Sequence, residues 1–290
     1  MPIDGAAIRA LNAVELRDRL ASGALRAEEV AEAFLQRVAE REEAVRAWAW
    51  IEPDFVLSQA RHLDAYRASG RPIGALHGLP VGLKDVIDTA GIPTENGAAM
   101  DAGRVPVRDS FVVDRLKQSG AIIMGKTVTT ELAFLHPSKT RNPHNLDHTP
   151  GGSSAGSAAA VGDGMVPLAV GTQTGGSVIR PASFCGITGF KPSFGAIPRR
   201  GVLNQSPSLD TLGTFARDPQ GAALLAENLF GYDPEDAATS PRPMPRLLET
   251  AAAKVPVKPM FAFVRLPGWD DAHPDMKAAI GEVVDALGDQ

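Results

Sequence analysis

The sequence predicts an α/β protein: a sheet with at least partly parallel pairing, helices over both faces, and a helical segment in front. Leu79 to Ile87 is apolar on both sides apart from Lys84 and Asp85, as a strand covered twice reads. A helix over Ser110–Ser119 and a wholly apolar strand, Ala121–Met124, follow it. Strand–helix–strand order favours parallel neighbours. Ahead of them, residues 8–68 carry apolar positions at helical spacing.

The elements follow in chain order. Leu11, Val14 and Leu20 give the first helix a narrow apolar side, and Ser22-Gly23 ends it. Val30, Phe34 and Val38 recur every four residues beside Ala27, Ala31 and Leu35, which marks a second helix with a buried stripe. Arg37, Glu40, Arg41, Glu42 and Glu43 read as its solvated face. A third helix spans Asp54–Ala68 with Phe55, Ala60 and Leu63 inward, and Gly70 stops it. In the Ser110–Ser119 helix Val112, Val113 and Leu116 are the buried set, with Gly120 as the stop. Residues 127–150 are polar and turn-rich. Pro198-Arg199-Arg200-Gly201 is a turn, followed by a strand-like edge and a helix over Asp218–Phe230. Residues 233–260 are proline-rich and read as an irregular connection; Phe261–Val264 reads as a strand, and Pro274–Leu287 as a helix with Met276, Ile280 and Val284 on one side.

Composition narrows the function. A 290-residue chain with 44% hydrophobic and 22% charged residues holds a large core. A net charge of −5 argues against general nucleic-acid or anionic-membrane binding. There is no run of about 18 apolar residues for a membrane span and no apolar signal segment near the N-terminus. The single cysteine, Cys185, excludes an internal disulfide framework and fits a reducing cytoplasm; with nothing basic adjacent, it reads as a packing residue.

The chemistry concentrates in residues 150–191, where GGSS at 151–154 and TGGS at 174–177 flank an apolar segment. Glycines let successive N–H groups around Thr174, Gly175, Gly176 and Ser177 converge on one point, the geometry of an oxyanion hole, and make Ser177 a nucleophile candidate. A phosphate would also suit such a turn, but neither G-x-x-x-x-G-K-[ST] nor a strand followed by G-x-G-x-x-G occurs. None of the histidines (His62, His77, His136, His144, His148, His273) has an obvious acidic orienter, and the three in the 127–150 loop lack compact metal-ligand spacing. Lys84 is the better base: burial in its apolar run would favour the neutral amine. The alternative for Lys84 is a strand-end lysine that reaches water or pairs with Asp85.

In order, HGLPVGLKDVIDTAGIPT, SGAIIMGKTVTTELAF, TPGGSSAGSAAAV and GTQTGGSVIRPASFCGITGFKPS resemble the amidase signature family, over the chain from the N-terminal helices to about residue 285. The resemblance implies a mixed sheet in one amidase-like domain, and hydrolysis or transfer of amides by a Lys–Ser–Ser triad with neither metal nor organic cofactor. By motif, Ser177 would be the nucleophile, Ser153 the bridging serine behind a cis peptide bond from Gly152, and Lys84 the base. Gln173 stands where many relatives have an acid, Arg180 lies three rather than two residues after the nucleophile, and Ala155 replaces a glycine. The Gln173 and Arg180 pattern is similar to malonamidase-like members and implies substrate contacts from Gly152, Gln173 and Arg180, the last to a carboxylate. A structural bridge, to backbone carbonyls or to an acid, is an equal reading for Arg180. The substrate expected is a small amide bearing an acid group, such as a malonamate.

The expected organisation is N-terminal helices over 1–70, a catalytic core over 71–232, the connection, and from 261 the start of a C-terminal portion that stops short of the family's usual length. That implies a fragment, or a partner or homodimer covering the sheet. Two other functions stay open: an amidotransferase A-type chain that releases ammonia from glutamine for a partner, and a truncated domain kept for binding alone.

Overall fold

The computed structural model describes residues 4–288. These fall into two compact units, one running through Ala252 and one beginning at Ala253.

The first unit opens with three helices, α1 (Gly5–Ala10), α2 (Ala13–Ser22) and α3 (Ala27–Val45). The expected first helix is in fact two. Asn12 breaks it, because its side chain accepts from the Glu15 N–H while Glu15 reaches back to the Asn12 N–H, a reciprocal cap that starts α2 afresh. Gly23, at φ 77°, closes α2 in the left-handed conformation. The stripe of α3 is buried as its spacing predicts, through Ala27, Val30, Ala31, Phe34 and Val38.

The charged face of α3 is not simply solvated. Arg41 Nε reaches Asp163 Oδ1 at 3.0 Å. Arg37 Nε donates to the Asp163 main-chain oxygen at 2.9 Å, with Oδ2 within ion-pair range at 3.2 Å. The Asp163 side chain is only 3% exposed. Glu42 accepts from the N–H groups of Ala47 and Trp48, and burial raises its carboxyl above the usual range despite those bonds. Asp163→Ala should therefore destabilise the protein by about 1–3 kcal/mol, because both guanidiniums lose a buried carboxylate; urea unfolding would show it.

The sheet has six strands: β1 (Trp48–Ile51), β2 (Pro80–Lys84), β3 (Ile122–Thr127), β4 (Leu168–Gln173), β5 (Thr188–Phe190) and β6 (Thr211–Ala216), in the order β1-β3-β2-β4-β6-β5. β2 lies between parallel neighbours β3 and β4, and β1, β6 and β5 add antiparallel pairs outside them. The sheet is therefore mixed. Helix α4 (Pro53–Ala68) precedes β2, and α5 (Phe111–Gln118) and α6 (Ala155–Gly162) are the crossover helices. The chain steps from β2 to β3 one way across the sheet and from β3 to β4 the other way. Crossovers of one hand then put α5 and α6 on opposite faces. This burial on two sides is why every residue of β2 and β3 is inaccessible, the lysines included.

The structure differs from the sequence-based expectation at four further places. β1 was not expected; two tryptophans in four residues form it against β3. The strand after the Pro198 turn is not an edge: β6 is hydrogen-bonded on both sides and wholly buried, and the edge on that side of the sheet is the short β5. Helix α8 (Pro219–Leu229) lies where expected, and the proline-rich stretch after it contains a helix, α9 (Leu247–Ala252). Phe261–Val264 forms no strand, because its own compact unit contains no second strand among its described residues to pair with.

In the second unit, Phe263 instead stacks edge-on against Trp269 at 5.3 Å, and α10 (Pro274–Gly288) is the expected helix, with no fully buried residue among those described. No described helix is long and apolar enough to cross a membrane.

Candidate active site

Lys84 is the last residue of β2, at the C-terminal ends of the parallel strands, where ligands of open α/β sheets sit. Its side chain is fully buried, not snorkelling to the surface. Nζ donates to Ser153 Oγ at 2.7 Å and to Thr172 Oγ1 at 2.8 Å. Burial drives its pKa down from 10.5 to about 7, partly opposed by the negative charge of Asp210. Asp85 is not its partner. That carboxylate lies 3.7 Å from the equally buried Lys126, which donates to Ile87 O and Thr94 Oγ1. Burial lifts Asp85 to about 6, and lowers Lys126 to about 8 against the pull of Asp85.

Ser153 follows a cis bond from Gly152, as the resemblance implied, and its carbonyl accepts from the Thr130 N–H at 3.1 Å. The next serines tie this turn and α6 to the sheet. Ser154 Oγ donates to Thr172 O and accepts from Thr172 N, and Ser157 Oγ lies 2.6 Å from Thr127 Oγ1. The Ser154 N–H reaches the Ser177 carbonyl at 3.4 Å, which brings the two serine motifs side by side.

Ser177 ends the glycine turn after β4, just before α7 (Ile179–Phe184). Its Oγ makes no hydrogen bond among the described residues, and its side chain lines a cavity of about 310 Å³ with Phe134, Leu135, Gly175, Gly176 and Arg180. The N–H groups of Gly175, Gly176 and Ser177 donate to no acceptor among the described residues. The first two N–H groups after Ser177 are occupied: Gln173 Oε1 accepts from Val178 at 2.8 Å and Ile179 at 3.0 Å. Three donors are thus left around one serine.

Two expected substrate contacts are spoken for by the protein. Gln173 is 4% exposed, and its amide caps the chain after Ser177 instead of facing the cavity. The Gly152 carbonyl accepts from Arg180 Nε and Nη2 at 3.2 and 2.8 Å. Arg180 thus bridges to a backbone carbonyl, and it also lines the cavity. Thr172 was missed, although it shares the period-two face of Val170 in a strand leading to the glycine turn. Cys185 is buried, and its thiol is pushed up to about 12 by desolvation. His144 meets the Cys185 carbonyl at 2.9 Å, a structural contact.

Comparison with known proteins fits this geometry. A family model described as Amidase matches residues 29–290. The A subunit of the glutamyl-tRNA(Gln) amidotransferase of Salinispora arenicola is 39% identical over 97% of this chain and 59% of its own length. Its counterpart in Acidothermus cellulolyticus is 42% identical over 82% of this chain and 48% of its own. The native peptide amidase of Stenotrophomonas maltophilia superposes with a TM-score of 0.77 at 33% identity, covering 84% of this chain and 52% of that one. The chain spans about half to three-fifths of the length of these relatives.

Proposed function

This chain belongs to the amidase family, and on that premise we propose that it cleaves amide bonds through an acyl-enzyme on Ser177. The observation that carries the proposal is the wholly buried Lys84 amine, 2.7 Å from Ser153 Oγ, with its pKa lowered to about 7. In the proposed reaction neutral Lys84 takes the Ser153 proton as Ser153 takes that of Ser177. Ser177 Oγ forms a bond to the amide carbonyl carbon, and the N–H groups of the glycine turn, from Thr174 to Ser177, hold the resulting oxyanion. Collapse breaks the C–N bond, and the proton returns from Lys84 through Ser153 to the departing amine. Water, deprotonated along the same path, then opens the ester and frees Ser177.

Two readings of the substrate have support. The Gln173 and Arg180 pattern supports a small amide with a carboxylate, since Arg180 lines the cavity and its Nη1 is not engaged by Gly152. The identity to amidotransferase A subunits supports glutamine as the ammonia donor for a partner chain. Ammonia release from malonamate, from neutral amides of like size and from glutamine would separate them, alongside mass-spectrometric mapping of a fluorophosphonate adduct. The expected adduct is on Ser177. A folded protein labelled elsewhere, or not at all, would remove the acyl-enzyme reading.

A further inference from the structure

Asp210 is a buried carboxylate that the proposed reaction does not use. It sits at the start of β6, beside the end of β4, where Gln173 pairs with Thr211. Oδ1 accepts from Thr174 Oγ1 at 2.5 Å, and Oδ2 accepts from the N–H groups of Gln205 and Ser206, both at 2.7 Å. Thr174 opens the glycine turn that ends in Ser177. Its Oγ1 also lies 2.7 Å from Gln205 Oε1, and Gln205 Nε2 donates to Leu132 O at 3.2 Å, beside Phe134 and Leu135 of the cavity wall. A threonine hydroxyl has one hydrogen for these two acceptors, and the carboxylate is the stronger.

We infer that Asp210 is a positioning residue for the amide-cleaving reaction: it fixes the glycine turn through Thr174, and its charge stabilises the protonated Lys84 formed when Ser177 attacks. The inference rests on the function proposed above. Other charges around Lys84 are otherwise engaged. On the β3 side, Asp85 and Lys126 pair with each other, and Lys126 donates towards Ile87 and Thr94. On the α6 side, Asp163 is bound by Arg37 and Arg41, and Arg180 holds the Gly152 carbonyl. Strands β4 and β6 carry no charged residue. Near Asp210 itself, Arg199 reaches only the main-chain oxygen, at 3.4 Å, and spends its guanidinium on Asp236. Among the described residues, Asp210 is also the one charge that opposes the downward push of burial on Lys84.

The geometry supplies a clean test. In Asp210→Asn, the amide oxygen can take the place of Oδ2 and accept from both N–H groups. The amide nitrogen then donates to Thr174 Oγ1, whose hydrogen turns to Gln205 Oε1. Every hydrogen bond persists, and only the charge is lost. The readout is the rate of fluorophosphonate labelling of Ser177 against pH, with the melting temperature measured in parallel. Wild type should gain rate as Lys84 loses its proton near pH 7. Asp210→Asn should melt like wild type, and its rise in rate should begin about one pH unit lower, because the lost anion no longer favours the ammonium form. Thr174→Val keeps the carboxylate and should slow labelling at every pH without moving the rise. A wild-type profile in folded Asp210→Asn, an equal shift in Thr174→Val, or failure of Asp210→Asn to fold would each overturn the inference. Absence of Ser177 labelling in wild type would instead strike the functional reading on which it rests.

Discussion

Lys84→Met should lower acylation of Ser177 by about 10²–10⁴-fold while raising the melting temperature at neutral pH. The rate falls because no other base among the described residues reaches Ser153 Oγ; the remaining bond of Lys84 goes to Thr172, a hydroxyl. The stability gain is a contest between two terms. Removing the amine leaves the Ser153 and Thr172 hydroxyls each short of a partner, about 1 kcal/mol apiece. Against that, the wild-type amine titrates at about 7 in the fold and at 10.5 in the unfolded chain. At pH 7 an amine almost fully protonated in the unfolded chain is only about half protonated once buried, a penalty on the order of a few kcal/mol at 1.36 kcal/mol per unit. Methionine carries no such penalty and has similar volume. The penalty is complete at and below about pH 7 and fades as pH approaches 10.5, where the unfolded lysine is neutral too. The variant's advantage should therefore shrink between those limits. Circular-dichroism melts across that range would check it, and a constant gap would mean that the lysine is not buried neutral.

How far the sequence reveals this site depends on the range of each interaction. The α3 stripe, the α5 core and β2 are legible because burial imprints a period on neighbouring residues. The pairing of Lys84 with Ser153 lies 69 residues apart in the chain, and only the motif order suggested it. The intramolecular contacts of Gln173 and Gly152 are hidden from the sequence for a related reason. A polar side chain near a nucleophile looks like a substrate ligand until the main-chain groups needing satisfaction are known, and here Val178, Ile179 and Arg180 claim both residues. Asp210 and Gln205 gave no local signal at all. Their meaning arises from the antiparallel return of β6 along β4, a connection that residue spacing does not encode. Likewise β1 is only four residues long, too short for a period to declare itself, and its pairing with β3 is non-local.

Gly156→Ala should destabilise the protein by about 2 kcal/mol or more and pull Ser153 away from Lys84. The density of small residues around the serines has two causes, and this position isolates one of them. Gly156 lies in the first turn of α6, and its N–H donates to Val128 O at 2.8 Å. A Cβ there would stand 2.2 Å from Ala47 O and 2.3 Å from Val128 N. Both are main-chain atoms tied to each other by the Val128 N–H to Ala47 O bond, so neither can move alone. Alanine would favour the helix by about 1 kcal/mol, but overpacking against a fixed backbone falls at or above the top of the usual range of about 1–3 kcal/mol, so the clash prevails. Since Ser153 precedes α6 and Ser157 ties it to Thr127, a helix lifted off β3 carries the proposed relay with it. Gly175 illustrates the other cause. A Cβ there meets nothing within 4 Å, and its N–H faces no acceptor among the described residues. Gly175→Ala should thus melt like wild type and lose amide turnover by crowding the cavity beside Ser177. Thermal melts and labelling rates on the pair should diverge, with stability lost at Gly156 and activity alone at Gly175. If both variants melted alike, the tight contact of α6 with the β1–β3 backbone would not be what holds the serine motif against the sheet.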